Sequence, residues 1–223
     1  MKNSQKIGFL GALLLIVSCS TKKDAFLNRN YNALTTQYNI LYNGGVAFNE
    51  GLQEINASYE DDFFELLPIE PLTFKNKKFR LPKLSSSSSN KPGKGFQESP
   101  EQEESLTPFD IAEQKAVKAI QKHSMNIYGK ERNKKIDDAY LLLGKSRYYT
   151  ERFIPAIDAY NYIIANYPNA SLINETKIWR AKAHIRIENE ELAIETMEIL
   201  LRKPELPDFI REEANTTLRS EEH

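Results

Sequence analysis

Between Phe26 and Tyr42 the large apolar residues fall at Leu27, Tyr31, Leu34, Tyr38 and Leu41, steps of four, three, four and three that draw one stripe along a helix. Asn43-Gly44-Gly45 reads as a turn, and Phe48, Leu52, Ile55 and Tyr59 resume the same spacing, so residues 19–74 are expected to hold a helical hairpin. Its exit, Phe63 to Leu72, is apolar but broken by Pro68 and Pro71, which suits an extended strap. From 75 to 106 the pattern lapses. Ser85 to Ser89 is a homopolymer, and seven basic residues between Lys75 and Gly95 precede Glu98, Glu101, Glu103 and Glu104. So little apolar surface cannot offset the entropy of ordering, and a flexible linker is expected.

Order resumes at Thr107-Pro108-Phe109-Asp110, a cap, a first-turn proline and the acidic residue of a capping box. Phe109, Ala112, Ala116, Ile120 and His123 line one face of the helix that follows. From 107 to 223 helical stretches alternate with short breaks, and no segment shows convincing period-two alternation. The expected class is all-α.

The sharpest pattern lies between Asp137 and Pro168, which fits a 34-residue tetratricopeptide unit of two antiparallel helices. Gly144 and Ala156 are small where the helices approach most closely. Tyr140, Leu143 and Tyr160 fill the space around that contact, and Pro168 ends the second helix. A second unit places Ala181 at the position of Gly144, Ala193 at that of Ala156 and Met197 at that of Tyr160. Asp208 to Arg219 then opens a third unit with Ile210, Ala214 and Leu218 inward. In this register Leu141, Lys145, Tyr148, Ile178, Lys182 and Ile185 line the concave face. That face is either a groove for a partner's peptide or a plain solvent surface.

Composition narrows the function. With 30 basic and 31 acidic residues the chain has no electrostatic case for nucleic acid. Its single cysteine excludes an internal disulfide and a cysteine-rich metal site. That cysteine, Cys19, follows Lys2, Lys6, an apolar run from Ile7 to Val17, and Leu15-Ile16-Val17-Ser18. The run is too short to cross a bilayer, which takes about 20 apolar residues, but it suits a signal peptide. An aliphatic residue three before the cysteine and a small one just before it form the processing box of a bacterial lipoprotein. Residues 1–18 are expected to be removed and Cys19 to carry the lipid. Asp is absent beside Cys19, and no acidic run follows, so an outer-membrane anchor facing the periplasm is expected.

Chemistry-bearing motifs fail on spacing. Gly144-Lys145-Ser146 resembles the end of a phosphate loop, but Ala139 stands where the earlier glycine is required, and the stretch is helical. His123, His184 and His223 have no metal spacing. Asp61-Asp62, Asp137-Asp138 and Glu190-Glu191 suit helix starts. Lone Trp179 reads as packing. No cofactor, metal or catalytic residue is expected, and the chain is not expected to be an enzyme.

Tyr31 to Asn39, Leu41 to Gly44 and Glu65 to Pro68 resemble the N-terminal region of the SprE/PorW lipoproteins, as do Lys118 to Met125 and Ile136 to Lys145. The resemblance covers nearly all of 19–74 and 107–205; members of the family are considerably longer. It implies a non-enzymatic component of the Bacteroidota type IX secretion and gliding-motility machinery. Such a component joins an outer-membrane ring to an inner-membrane motor by binding other subunits. Two other readings of the residues are a tetratricopeptide-like glycan-binding lipoprotein and a lipoprotein of outer-membrane protein assembly.

Overall fold

Helix α1 (Phe26–Thr35) passes into a π-helical stretch (Thr36–Leu41) and on into α2 (Tyr42–Ser58) without leaving helical backbone. In this computed structural model residues 20–60, 70–72 and 106–219 are described; Cys19, the signal segment, His223, Asp61-Asp62, most of the strap and nearly all of the linker lie outside them.

The expected hairpin is therefore one long helix. Gly44 does not turn the chain; it lets α2 lie against its neighbours. A Cβ at Gly44 would come within 2.7 Å of the Leu142 side chain and 3.1 Å of Lys115 Cβ.

The expected stripe on α1 is also reversed. Leu27, Leu34 and Tyr38 are 59 %, 60 % and 64 % exposed, whereas Asn28 and Asn32 are 2 % and 1 % exposed and Thr36 is wholly buried. The inward face is polar because each group on it meets a partner. Asn28 Nδ2 donates to Ser20 O at 2.9 Å, Asn32 Nδ2 to Asn28 O at 2.9 Å, and Thr36 Oγ1 to Asn32 O at 2.6 Å. Across the gap, Asn133 Nδ2 donates to Thr36 Oγ1 at 3.0 Å and to His123 O at 2.9 Å, and His123 Nδ1 lies 3.0 Å from Asn32 Oδ1. Burial, with Lys122 and Lys118 nearby, lowers the pKa of His123. Neutral imidazole then donates from Nδ1 to the amide oxygen.

This arrangement separates two substitutions. Leu34→Ser is expected to change stability by no more than about 0.5 kcal/mol, whereas Asn32→Leu strands buried partners and is expected to cost about 1–3 kcal/mol. Urea unfolding of the two variants decides it; equal losses would mean the helix is turned the other way.

The rest of the chain stacks in sequence order. Helix α3 (Pro108–His123) starts at a capping box, Thr107 N donating to Asp110 Oδ2 at 2.9 Å and Asp110 N to Thr107 Oγ1 at 3.2 Å. Two two-residue strands, β1 (Asn126–Ile127) and β2 (Lys130–Glu131), form a hairpin around Tyr128 and Gly129, both at positive φ. This is strand in a segment expected to be helix and loop only. Glu131 holds the turn in place by accepting from Met125 N at 2.7 Å and Asn133 N at 2.8 Å.

Then follow α4 (Ile136–Tyr149), α5 (Phe153–Asn166), α6 (Ile173–Ile185), α7 (Glu190–Leu201) and α8 (Asp208–Arg219). Each packs on the next, with α4 also touching α6 and α6 touching α8, the pattern of a helical solenoid. The long N-terminal helix pairs with α3 through α2 and completes the stack ahead of α4 and α5. One core joins Phe48, Phe109, Tyr148, Tyr149, Tyr160 and Trp179; a second joins Ile178, Ala181, Ala193, Met197, Ile210 and Ala214. Leu218 packs against the second from α8.

Candidate functional site

The repeat positions lie where two helices meet. Gly144 sits beneath the Tyr160 ring, Ala156 and Tyr160 are wholly buried, and Leu143 packs with Ala116 and Ala159. Tyr140 stacks on Tyr162 with centroids 4.0 Å apart, and burial followed by the Tyr162 phenol pushes its pKa up to about 12. Pro168 follows the C-cap of α5 at Tyr167. Ala181, Ala193 and Met197 occupy the matching contact in the second unit.

The six residues expected on the concave face do not form an open groove. Leu141, Tyr148, Ile178 and Lys182 are buried, and Ile185 packs against the second core. Leu141 and Ile178 are core residues, because α4, α6 and α8 are close enough for their facing side chains to meet. Lys145 is ion-paired with Glu175 and lies 5.0 Å from the Trp179 ring centroid. Gly144-Lys145-Ser146 is plain helix: the Ser146 hydroxyl donates to Leu142 O at 2.8 Å.

Residues 70–72, the end of the expected strap, lie against this face. Glu70 reaches across the concave face, its Oε1 accepting from Lys182 Nζ at 2.5 Å and its Oε2 from the Tyr148 hydroxyl at 2.7 Å. Arg186 Nη2 donates to the Glu70 carbonyl at 3.0 Å, and Arg186 Nε to the Tyr148 oxygen at 3.1 Å. Lys182 also donates to Glu213 Oε1 on α8 at 2.9 Å and stands 4.6 Å from the Trp179 centroid. Leu72 packs against the first core. Burial raises the Tyr148 pKa, the Glu70 carboxylate adds to the rise, and Arg186 opposes it, so the phenol keeps its proton and donates. Beside this cluster the Tyr160 hydroxyl is buried with no hydrogen-bond partner among the described residues.

Chemically this is a carboxylate holder: an ammonium, a guanidinium and a phenol converge on one acidic side chain and its carbonyl. Sequence pattern placed Tyr148 and Lys182 on this face but missed Arg186, Glu213 and the part played by Glu70. The available signal was an acidic residue between two prolines, Pro68 and Pro71, in a mainly apolar strap.

The other singled-out residues are structural. Trp179 is buried between Tyr148 and Tyr149, at 5.4 and 5.9 Å. His184 Nδ1 lies 3.4 Å from Asn189 Nδ2, and burial lowers its pKa. Asp137, whose pKa burial raises, and Glu190-Glu191 sit in the first turns of α4 and α7. Among the described residues no group of His, Cys, Asp and Glu is arranged to hold a metal ion. Also among them, no helix is long and apolar enough to cross a membrane.

No protein-family model matches the chain, and no curated protein matches it.

Proposed function

We propose that this protein is a non-enzymatic scaffold, anchored by lipid at Cys19 to the periplasmic face of the outer membrane. In this reading it serves type IX protein secretion and gliding motility by holding other subunits of that apparatus. The observation that supports a holding role is the occupied concave face: stacked helix pairs clasp a non-helical segment at Glu70 through Lys182, Arg186 and Tyr148. Grooves that recognise extended peptides combine main-chain hydrogen bonds with side-chain pockets in this way. The machinery itself is suggested by the resemblance of Tyr31 to Asn39 and Ile136 to Lys145 to SprE/PorW proteins. The glycan-binding alternative is weakened by the burial of Trp179, since a sugar platform needs an exposed ring.

An acyl chain contributes about 0.8 kcal/mol of membrane affinity per buried CH₂, and more than one chain anchors stably. Cys19→Ser is therefore expected to move the protein from the membrane to the soluble fraction and to abolish type IX export. Fractionation of envelopes, with co-purification of ring and motor subunits, provides the check. A Cys19→Ser protein that stays on the membrane and supports export would refute the anchor. Purification of the wild-type chain without any such subunit would refute the scaffold.

A further inference from the structure

The donors around Glu70 all belong to the repeats, Tyr148 to α4, Lys182 to α6 and Arg186 to its C-cap, while the acceptor comes from outside them. Glu70 lies between the last residue of α2, Ser58, and the first of α3, Pro108, and belongs to neither helix. Lys182 has one carboxylate partner from the repeats, Glu213 on α8, and takes its second, Glu70, from outside them.

We propose that the concave face is a binding site for non-helical, carboxylate-bearing protein segments, and that residues 70–72 fill it in cis until a partner's segment of the same chemistry displaces them. The inference rests on the scaffold reading above and names its ligand class.

Three features of the site define that class. The Lys182 side chain is only 6 % exposed with residues 70–72 in place, and when Glu70 leaves, Glu213 is the one carboxylate it keeps. A replacement must bring a carboxylate, because a buried charge stripped of one partner is strongly disfavoured. Arg186 holds the main-chain carbonyl of the same residue, which selects a non-helical backbone, since the carbonyls of a helix are already bonded. Leu72, an apolar residue two places further on, is partly buried against the first core. The motif read by the site is thus Glu, proline or another residue that keeps the backbone out of a helix, then an apolar side chain.

Occupation in cis has a kinetic and thermodynamic consequence. A tethered segment competes at an effective concentration in the millimolar range, so an external segment binds weakly until the internal one is impaired. Weakening the internal segment is therefore expected to strengthen binding of the external one. A strap with a merely structural role predicts no such gain.

Trp179, the chain's single tryptophan, touches Tyr148 and stands over Lys182, so its fluorescence reports on this site directly. The probe is a synthetic peptide copying residues 65–74, titrated into the whole mature chain, with a second peptide carrying glutamine in place of Glu70 as control. In the Glu70→Gln protein, the glutamate peptide is expected to perturb Trp179 and bind at least about tenfold more tightly than to wild type, and about tenfold more tightly than the control peptide. Lys182→Met, added to Glu70→Gln, is expected to erase that preference. Far-ultraviolet circular dichroism confirms that each variant is folded before titration; should Lys182→Met not fold, Lys182→Gln takes its place. Equal binding of both peptides, or no binding to the Glu70→Gln protein, overturns the inference and leaves the strap a fixed part of the fold. That outcome is independent of Cys19-dependent anchoring and of co-purification, which test the scaffold reading separately.

Discussion

Gly144→Val is expected to destabilise the protein by on the order of 3 kcal/mol, near the upper end of what overpacking a core costs. A Cβ at this position would lie 2.7 Å from Tyr160 Cζ and 2.8 Å from Cδ1, and closer still to Cε1. The ring cannot swing clear, since Tyr160 is fully buried between α4 and the layers on either side. The alternative, parting α4 from α5, would open the contact that also holds Ala156 and Ile163. For a chain of this size such a loss lowers the melting temperature by roughly 6–12 °C. Gly45→Ala is the matched control: it also sits in a helix, but nothing lies within 4 Å of its added Cβ. There the better helix propensity of alanine is expected to raise stability by up to about 1 kcal/mol. Thermal melts followed by circular dichroism give both numbers; a stabilising Gly144→Val would mean that α4 and α5 are not in close contact at this point.

Phe109→Ala is expected to cost about 3–5 kcal/mol, the usual range for removing a buried aromatic side chain. Phe109 is wholly buried and stacks on Tyr149 with centroids 4.9 Å apart, and meets Phe48 edge-on at 5.3 Å. It thereby joins the N-terminal helix, through α2, to the first repeat. The ring is accommodated only because residue 51 is glycine: a Cβ there would come within 2.7 Å of Phe109 Cε2 and Cζ. This contact predicts a reversal of sign. Gly51→Ala alone is expected to destabilise, but in the Phe109→Ala background it fills part of the cavity and is expected to be neutral or stabilising. Residues in contact commonly couple by 0.5–3 kcal/mol, roughly the size needed for that reversal. Denaturant unfolding of the two single variants and the double variant measures it, and simple additivity would rule the contact out.

The repeat region was legible for a specific reason. Small residues at Gly144, Ala156, Ala181 and Ala193 have meaning only where two helices touch, and aromatic residues at fixed offsets have to fill what the small ones leave. Such spacing is local, so pattern reading reaches it without knowing which helix is the neighbour. The same holds for the capping box at Thr107 and Asp110, whose partners are three residues apart.

The N-terminal helix was misread because two opposed stripes share one period. Leu27, Leu34 and Tyr38 recur at helical steps, and so do Asn28, Asn32 and Thr36. Apolarity alone favours burying the first set. The polar set wins the inward place because Asn133 and His123, about a hundred residues away, complete its hydrogen bonds. Likewise Asn43-Gly44-Gly45 carries turn chemistry, yet the close approach of Leu142 and Lys115 uses Gly44 as a flat helix surface. The concave face failed in a related way: register placed Lys182 and Tyr148 on it, but only the path of the strap brings Glu70 into reach.

By itself, then, the order of residues determined a mostly helical chain and the small-residue contacts inside each helix pair, since these depend on partners close in sequence. Tertiary structure alone decided which side of the first helix faces inward, that this helix runs unbroken past Gly44 and Gly45, and that Glu70 sits on the concave face. Each of those outcomes turns on a polar or steric partner distant in sequence. Helical periodicity carries no information about which of two equally spaced faces that partner will meet.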